Sequence, residues 1–105
     1  MSGASRAKGL RGEHEVAAIW RAHGFEVRGL EGEGDHLCIA TYGVDNRLTA
    51  IHSEVKRQER LQLWAWIAQA EAEAPAGAVP VVSFRRNRSP WYAAIRLETL
   101  AELLA

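Results

Sequence analysis

A chain of 105 residues suffices for one compact domain and falls short of two, so a larger functional site is expected only through self-association. Lys and Arg number 13 against 13 Asp and Glu, a balance that excludes a uniformly basic, nucleic-acid-coating protein and makes local clusters of charge more informative than their sum. No apolar run approaches the length of a membrane span, and the single Cys38, inside the apolar run "HLCIA", supports neither a disulfide framework nor a zinc cluster. The expectation is a soluble cytoplasmic protein with a buried free thiol at Cys38, no membrane partner and no organic cofactor.

In chain order, residues 1–8 are basic and rich in small side chains, and lack the apolar stretch of a secretory signal. They are expected to form a flexible arm ahead of a single domain over 9–105. Val16, Ala17, Ile19 and Trp20 recur at helical spacing between Gly9 and His23, with Gly24 as the stop. Glu13 falls on the inward stripe of this helix and Glu15 nearer its flank. An inward acid needs a partner, which the helix dipole or a metal ion could supply. "FEVRGL" predicts a short strand, and "GLEGEGD" a glycine-rich loop whose backbone is free to approach a ligand. "DHLCIATY" and "RLTAIHSEVK" flank the turn "GVDN" and predict a hairpin.

"ERLQLWAWIAQAEAEA" predicts a second helix, with Leu63, Ile67 and Ala70 on one face and Pro75 and Gly77 beyond its end. Trp64 and Trp66 are too aromatic for both faces of that helix to be wet, so at least one should be buried in the core or a dimer interface. "AVPVVSF" and "WYAAIRL" predict strands around an Arg-rich turn, and "LETLAELLA" a closing amphipathic helix. The element order α-β-β-β-α-β-β-α implies a sheet with helices against it, of α/β or α+β type.

Centring the hairpin on Gly43–Asn46 pairs Tyr42 with Arg47 and sets Asp35 opposite Glu54. Two carboxylates so placed repel unless a cation lies between them, and hard ions such as Mg²⁺ prefer carboxylate oxygens. Glu54 and Lys56, two apart on a strand, share a face, while Ile51 and Val55 point into the core. A lysine there can meet charge developing on a phosphate or help to orient and deprotonate water. Gln69 could fix a water or backbone near this face. His14, His23, His36 and His52 lack a short ligand spacing, and His52, although on the Glu54 face, is expected to be solvated. Basic residues fall in three patches: Arg6, Lys8 and Arg11; Lys56, Arg57 and Arg60; and Arg85, Arg86 and Arg88 in "RRNR". With Arg28 they are the candidate DNA contacts, provided that they share a face.

The succession Gly9-x-x-x-Glu13, Gly32-x-Gly34-Asp35, Glu54-Val55-Lys56 and Gln69-Ala70 resembles the PD-(D/E)XK nuclease superfamily and, within it, the archaeal-type Holliday junction resolvases, in the small form also carried by bacteriophages. The resemblance spans about residues 8 to 97, with Gly34 where the superfamily motif has proline. It implies a restriction-endonuclease-like mixed sheet of about five strands flanked by helices. It also implies that Glu13, Asp35 and Glu54 bind Mg²⁺ or Mn²⁺ with the Val55 carbonyl, that Lys56 is catalytic, and that Gln69 supports the site. Family members are homodimers that cut two opposed strands of a four-way DNA junction by phosphodiester hydrolysis. Three further readings remain open: a nuclease of the same fold acting on flaps, forks or duplex DNA, a catalytically silent DNA-binding or assembly module, and a small soluble α/β domain whose charges coincide by chance.

Overall fold

A computed structural model of the chain describes residues 3–28, 36–42 and 48–105. The elements follow the expected order: α1 (Gly3–Ala22), β1 (Glu26–Arg28), β2 (His36–Tyr42), β3 (Leu48–Arg57), α2 (Leu63–Glu73), β4 (Ala78–Arg85), β5 (Tyr92–Ala94) and α3 (Leu97–Leu104). α1 begins at Gly3, not Gly9, so Arg6 and Lys8 lie on helical backbone instead of in an unstructured arm. No proline or β-branched residue interrupts "GASRAKGL", so the helix is free to extend.

The far end of α1 closes as the sequence predicts. Gly24 sits at φ +89°, where a side chain is strained, and its N–H donates to the Arg21 carbonyl at 3.0 Å while the Phe25 N–H reaches back to that of Trp20 at 3.1 Å. This is the paired hydrogen bonding of a left-handed helix terminus, and the Phe25 ring packs edge-on to Trp20, as such a terminus favours.

The five strands form one mixed sheet in sequential order, antiparallel except for β3 and β4, which are parallel and joined through α2. A parallel pair requires such a crossover, because a tight turn can only reverse the chain. The hairpin register differs from expectation by one residue: Tyr42 pairs with Leu48 and His36 with Glu54, so Asp35 is not the cross-strand partner of Glu54. Asp35 itself lies outside the described residues. Packing explains the shift. The observed register sets Leu37 opposite Ser53 and Ile39 opposite Ile51, so both apolar side chains share the face of Ile51 and Val55. The expected register would have turned them to the other face.

The sheet is covered on both sides. Val16 and Ala17 of α1 pack with Val27, Leu37, Ile39, Ile51, Val55 and Val81. Gly12 lets this helix come close, since a Cβ there would lie 3.4 Å from both Arg57 Cβ and Trp91. On the other face Trp66 and Ala70 of α2 pack on Val82. Trp66 is therefore the buried member of the tryptophan pair, and Trp64 is 85% exposed. Cys38, expected to be buried, is exposed: it pairs with His52 and alternates away from buried Leu37 and Ile39, onto the face where α2 packs over β3 and β4. Among the described residues, none in α3 is buried, and no helix is long and apolar enough to cross a membrane.

Candidate metal centre

β3 is the middle strand and is buried from Ile51 to Lys56. Alternation turns Ile51 and Val55 toward α1, so His52, Glu54 and Lys56 project toward α2. The predicted sharing of one face by Glu54 and Lys56 thus holds, with Val55 core-facing. It also buries His52, which solvent was expected to reach: α2 covers this side of the strand. Glu54 is fully buried, His52 is 4% exposed, and His52 Nε2 lies 2.9 Å from Glu54 Oε1.

The third member of the group comes from α2. Glu73, exposed at the helix's last position, completes a set with His52 and Glu54 in which one ligand atom from each lies within 4.8 Å of the others. One imidazole and two carboxylates at that separation can share a divalent cation. Gln69 Nε2 donates to Glu73 Oε1 at 3.3 Å, one helical turn away, on the exposed side of α2. Glu73 was missed by sequence reasoning, although a signal existed. Trp66, Ala70 and Glu73 lie on one helical stripe, so an acid at 73 continues the side of α2 that buries Trp66 and Ala70.

Glu13 is buried at 4% exposure on α1, beside the stripe of Val16 and Ala17 that packs on Ile51 and Val55. Glu54 alternates to the other side of the strand, and Glu13 is not a member of the group formed with His52 and Glu73. On the α1 face the buried Ser53 and Ser83 hydroxyls satisfy each other at 2.8 Å.

Two of the three basic patches meet at one end of the sheet. The parallel register sets Arg57 beside Arg85, and the Gln58 N–H donates to the Arg85 carbonyl. The Asn87 N–H donates to Glu59 Oε1 at 2.7 Å, tying the "RRNR" turn to the segment after β3. α1 reaches this end too, since a Cβ at Gly12 would lie 3.4 Å from Arg57 Cβ and Trp91. The arginines divide there into two kinds. Arg85 donates to Glu15 Oε2 at 3.2 Å, Trp91 Nε1 donates to the same oxygen at 3.0 Å, and Arg57 lies 3.7 Å from Oε1. Arg57 and Arg85 are thus partly neutralised, and the Arg85 guanidinium lies over the Trp91 ring. Arg11, Arg60, Arg86 and Arg88 are exposed. Arg28 stands apart on edge strand β1, paired with Glu26. The side chains of Arg6 and Lys8 lie outside the described residues.

A separate groove of about 340 Å³ runs between α2, β4 and the start of α3, lined by Trp64, Ile67, Pro80, Val82 and others, with Glu71 and Arg96 ion-paired at 2.6 Å. Its lining includes none of His52, Glu54 and Glu73, so it is apart from the chemistry. No protein-family model matches the chain and no curated protein matches it in sequence, so its own geometry carries the functional reading.

Proposed function

We propose that this chain is a metal-dependent endonuclease selective for branched DNA, which as a homodimer resolves four-way junctions by paired phosphodiester hydrolysis. The observation that carries the reading is the face of β3. Glu54 and Lys56 project from it together, Glu54 within a His–Glu–Glu group of ligand spacing, near the end of the sheet where exposed arginines collect.

The donor set fits a divalent ion, held by Glu54 with His52 and Glu73; of the acids that the resemblance implies, Glu54 alone belongs to this group, Glu13 lying on the α1 side of the sheet and Asp35 outside the described residues. Such an ion supplies, when bound, a Lewis acid and a water of lowered pKa. The chain's own groups do the rest. Lys56 presents an ammonium group to the negative charge that develops on a scissile phosphate. Gln69 holds Glu73 in orientation. Arg11, Arg60, Arg86 and Arg88 contact phosphates without reading sequence, so selectivity is for the shape of the DNA. A two-fold dimer sets two such sites at fixed spacing, which suits a nearly symmetric junction.

The test is cleavage of a four-way junction, a flap and a linear duplex, side by side with Mg²⁺ or Mn²⁺. Junction cleavage is expected to dominate, and Glu54→Gln to abolish it while junction binding survives. Cleavage retained by Glu54→Gln would refute the assignment. Preference for flap or duplex would move the substrate within the same chemistry, and junction binding without cleavage of any DNA would leave a silent binding module.

A further inference from the structure

The donor set that His52 and Glu73 complete carries more than a generic cation site. We infer that this centre selects a first-row transition ion of the Mn²⁺, Co²⁺ or Zn²⁺ class over Mg²⁺, with His52 Nε2 and one oxygen each from Glu54 and Glu73 as its protein ligands. The inference rests on reading Glu54 as the metal-binding acid of the proposed nuclease, and it deepens that reading by assigning two ligands and a preference against Mg²⁺ that the sequence resemblance does not.

The argument is chemical and geometric. Mg²⁺ takes oxygen ligands almost exclusively and keeps much of its water, whereas imidazole nitrogen suits the later first-row ions. His52 is 4% exposed and Glu54 fully buried, so the imidazole and the carboxylate are fixed side by side in the middle strand, with little room to turn away from a shared ion. An ion with bonds of about 2.1 Å in octahedral geometry sets neighbouring ligand atoms about 3 Å apart and opposite ones about 4.2 Å apart. Here His52 Nε2 and Glu54 Oε1 are hydrogen-bonded at 2.9 Å, and an ion that displaces the proton between them finds the two atoms at the separation of neighbouring ligands, with the whole group within 4.8 Å. Glu73 is the exposed member, on the last turn of α2, and can close the remaining difference by side-chain rotation. Three protein ligands leave the remaining positions of a six-coordinate ion to water.

The experiment is calorimetric titration of the full chain, stripped of metal, with Co²⁺, Zn²⁺ or Mg²⁺ alone. Co²⁺ and Zn²⁺ are expected to bind at least tenfold more tightly than Mg²⁺. Glu73→Gln, a change at an exposed position whose fold is checked by circular dichroism, is expected to weaken Co²⁺ binding at least tenfold. In the unsubstituted chain, Zn²⁺ is expected to shift the ¹⁵N ring resonance of His52 and leave those of the exposed His14 and His23 in place. Mg²⁺ binding within tenfold of Co²⁺, Co²⁺ affinity kept by Glu73→Gln, or a His52 resonance unmoved by Zn²⁺ would each overturn the inference. Any of these results, together with Mg²⁺-supported junction cleavage that Glu54→Gln abolishes, leaves the nuclease reading standing. Selective Co²⁺ binding without cleavage of any DNA does the reverse.

Discussion

Replacing Arg86 and Arg88 together by glutamine should halve the salt dependence of junction binding. The exposed arginines proposed to contact phosphates are Arg11, Arg60, Arg86 and Arg88, while Arg57 and Arg85 are engaged with Glu15. Each phosphate neutralised contributes about −0.9 to the slope of log K against log salt, so those arginines together give about −3.6 per protomer. For a homodimer the slope doubles to about −7.2, so between 50 and 200 mM salt affinity should fall by about 20,000-fold for the parent and about 150-fold for the double variant, whose dimer slope is about −3.6. Fluorescence anisotropy with a labelled four-way junction across that range measures both. Arg28→Gln, on the opposite edge strand and paired with Glu26, serves as the control and should leave the slope unchanged. A flat response in the parent, or equal slopes in parent and double variant, would refute the division of the arginines into phosphate contacts and fold-holding groups.

Other perturbations test the fold beneath the site. Gly24→Ala places a side chain at φ +89° with nothing within 4 Å of its Cβ, so the cost is conformational and not steric. It should be about 1 kcal/mol, read as a fall in Tm of about 4–8 °C, and an unchanged Tm would contradict the left-handed helix terminus. Trp66→Ala empties a site buried against Val82 and should cost about 3–5 kcal/mol in denaturant titration, a large part of a small domain's stability. Trp64→Ala, at an 85% exposed position, should stay within about 0.5 kcal/mol. If the two tryptophans cost alike, the orientation of α2 is wrong.

How far the site was legible follows from where each signal lives. The alternation in "AIHSEVK" placed Glu54 and Lys56 together, because strand side chains alternate whatever covers them. The apolar pattern excludes the one-residue slip: Leu37 and Ile39 join Ile51 and Val55 in the register that pairs Tyr42 with Leu48, and leave that face when Tyr42 pairs with Arg47. The burial of His52 and the exposure of Cys38 reverse expectation for one shared reason. They face each other on the same side of the sheet, yet α2 lies over β3 and β4, so His52 is buried and Cys38 is exposed. No local pattern states which strands a helix will cover.

The sequence by itself determined the local geometry: the helix terminus at Gly24, the strand faces, the pairing of an acid with a lysine on the middle strand. These depend on backbone preferences and on periods of two and 3.6 residues, which neighbouring residues encode. Only the tertiary structure decided the partners. Glu73 meets His52 and Glu54 because the crossover through α2 returns the chain over β3. Glu15 holds Arg85 from 70 residues away, and so separates the arginines that hold the fold from those left exposed to solvent. Such contacts arise from the packing of whole elements, where the burial of Val16, Ala17, Trp66 and Ala70 sets positions that no single stretch of the chain specifies.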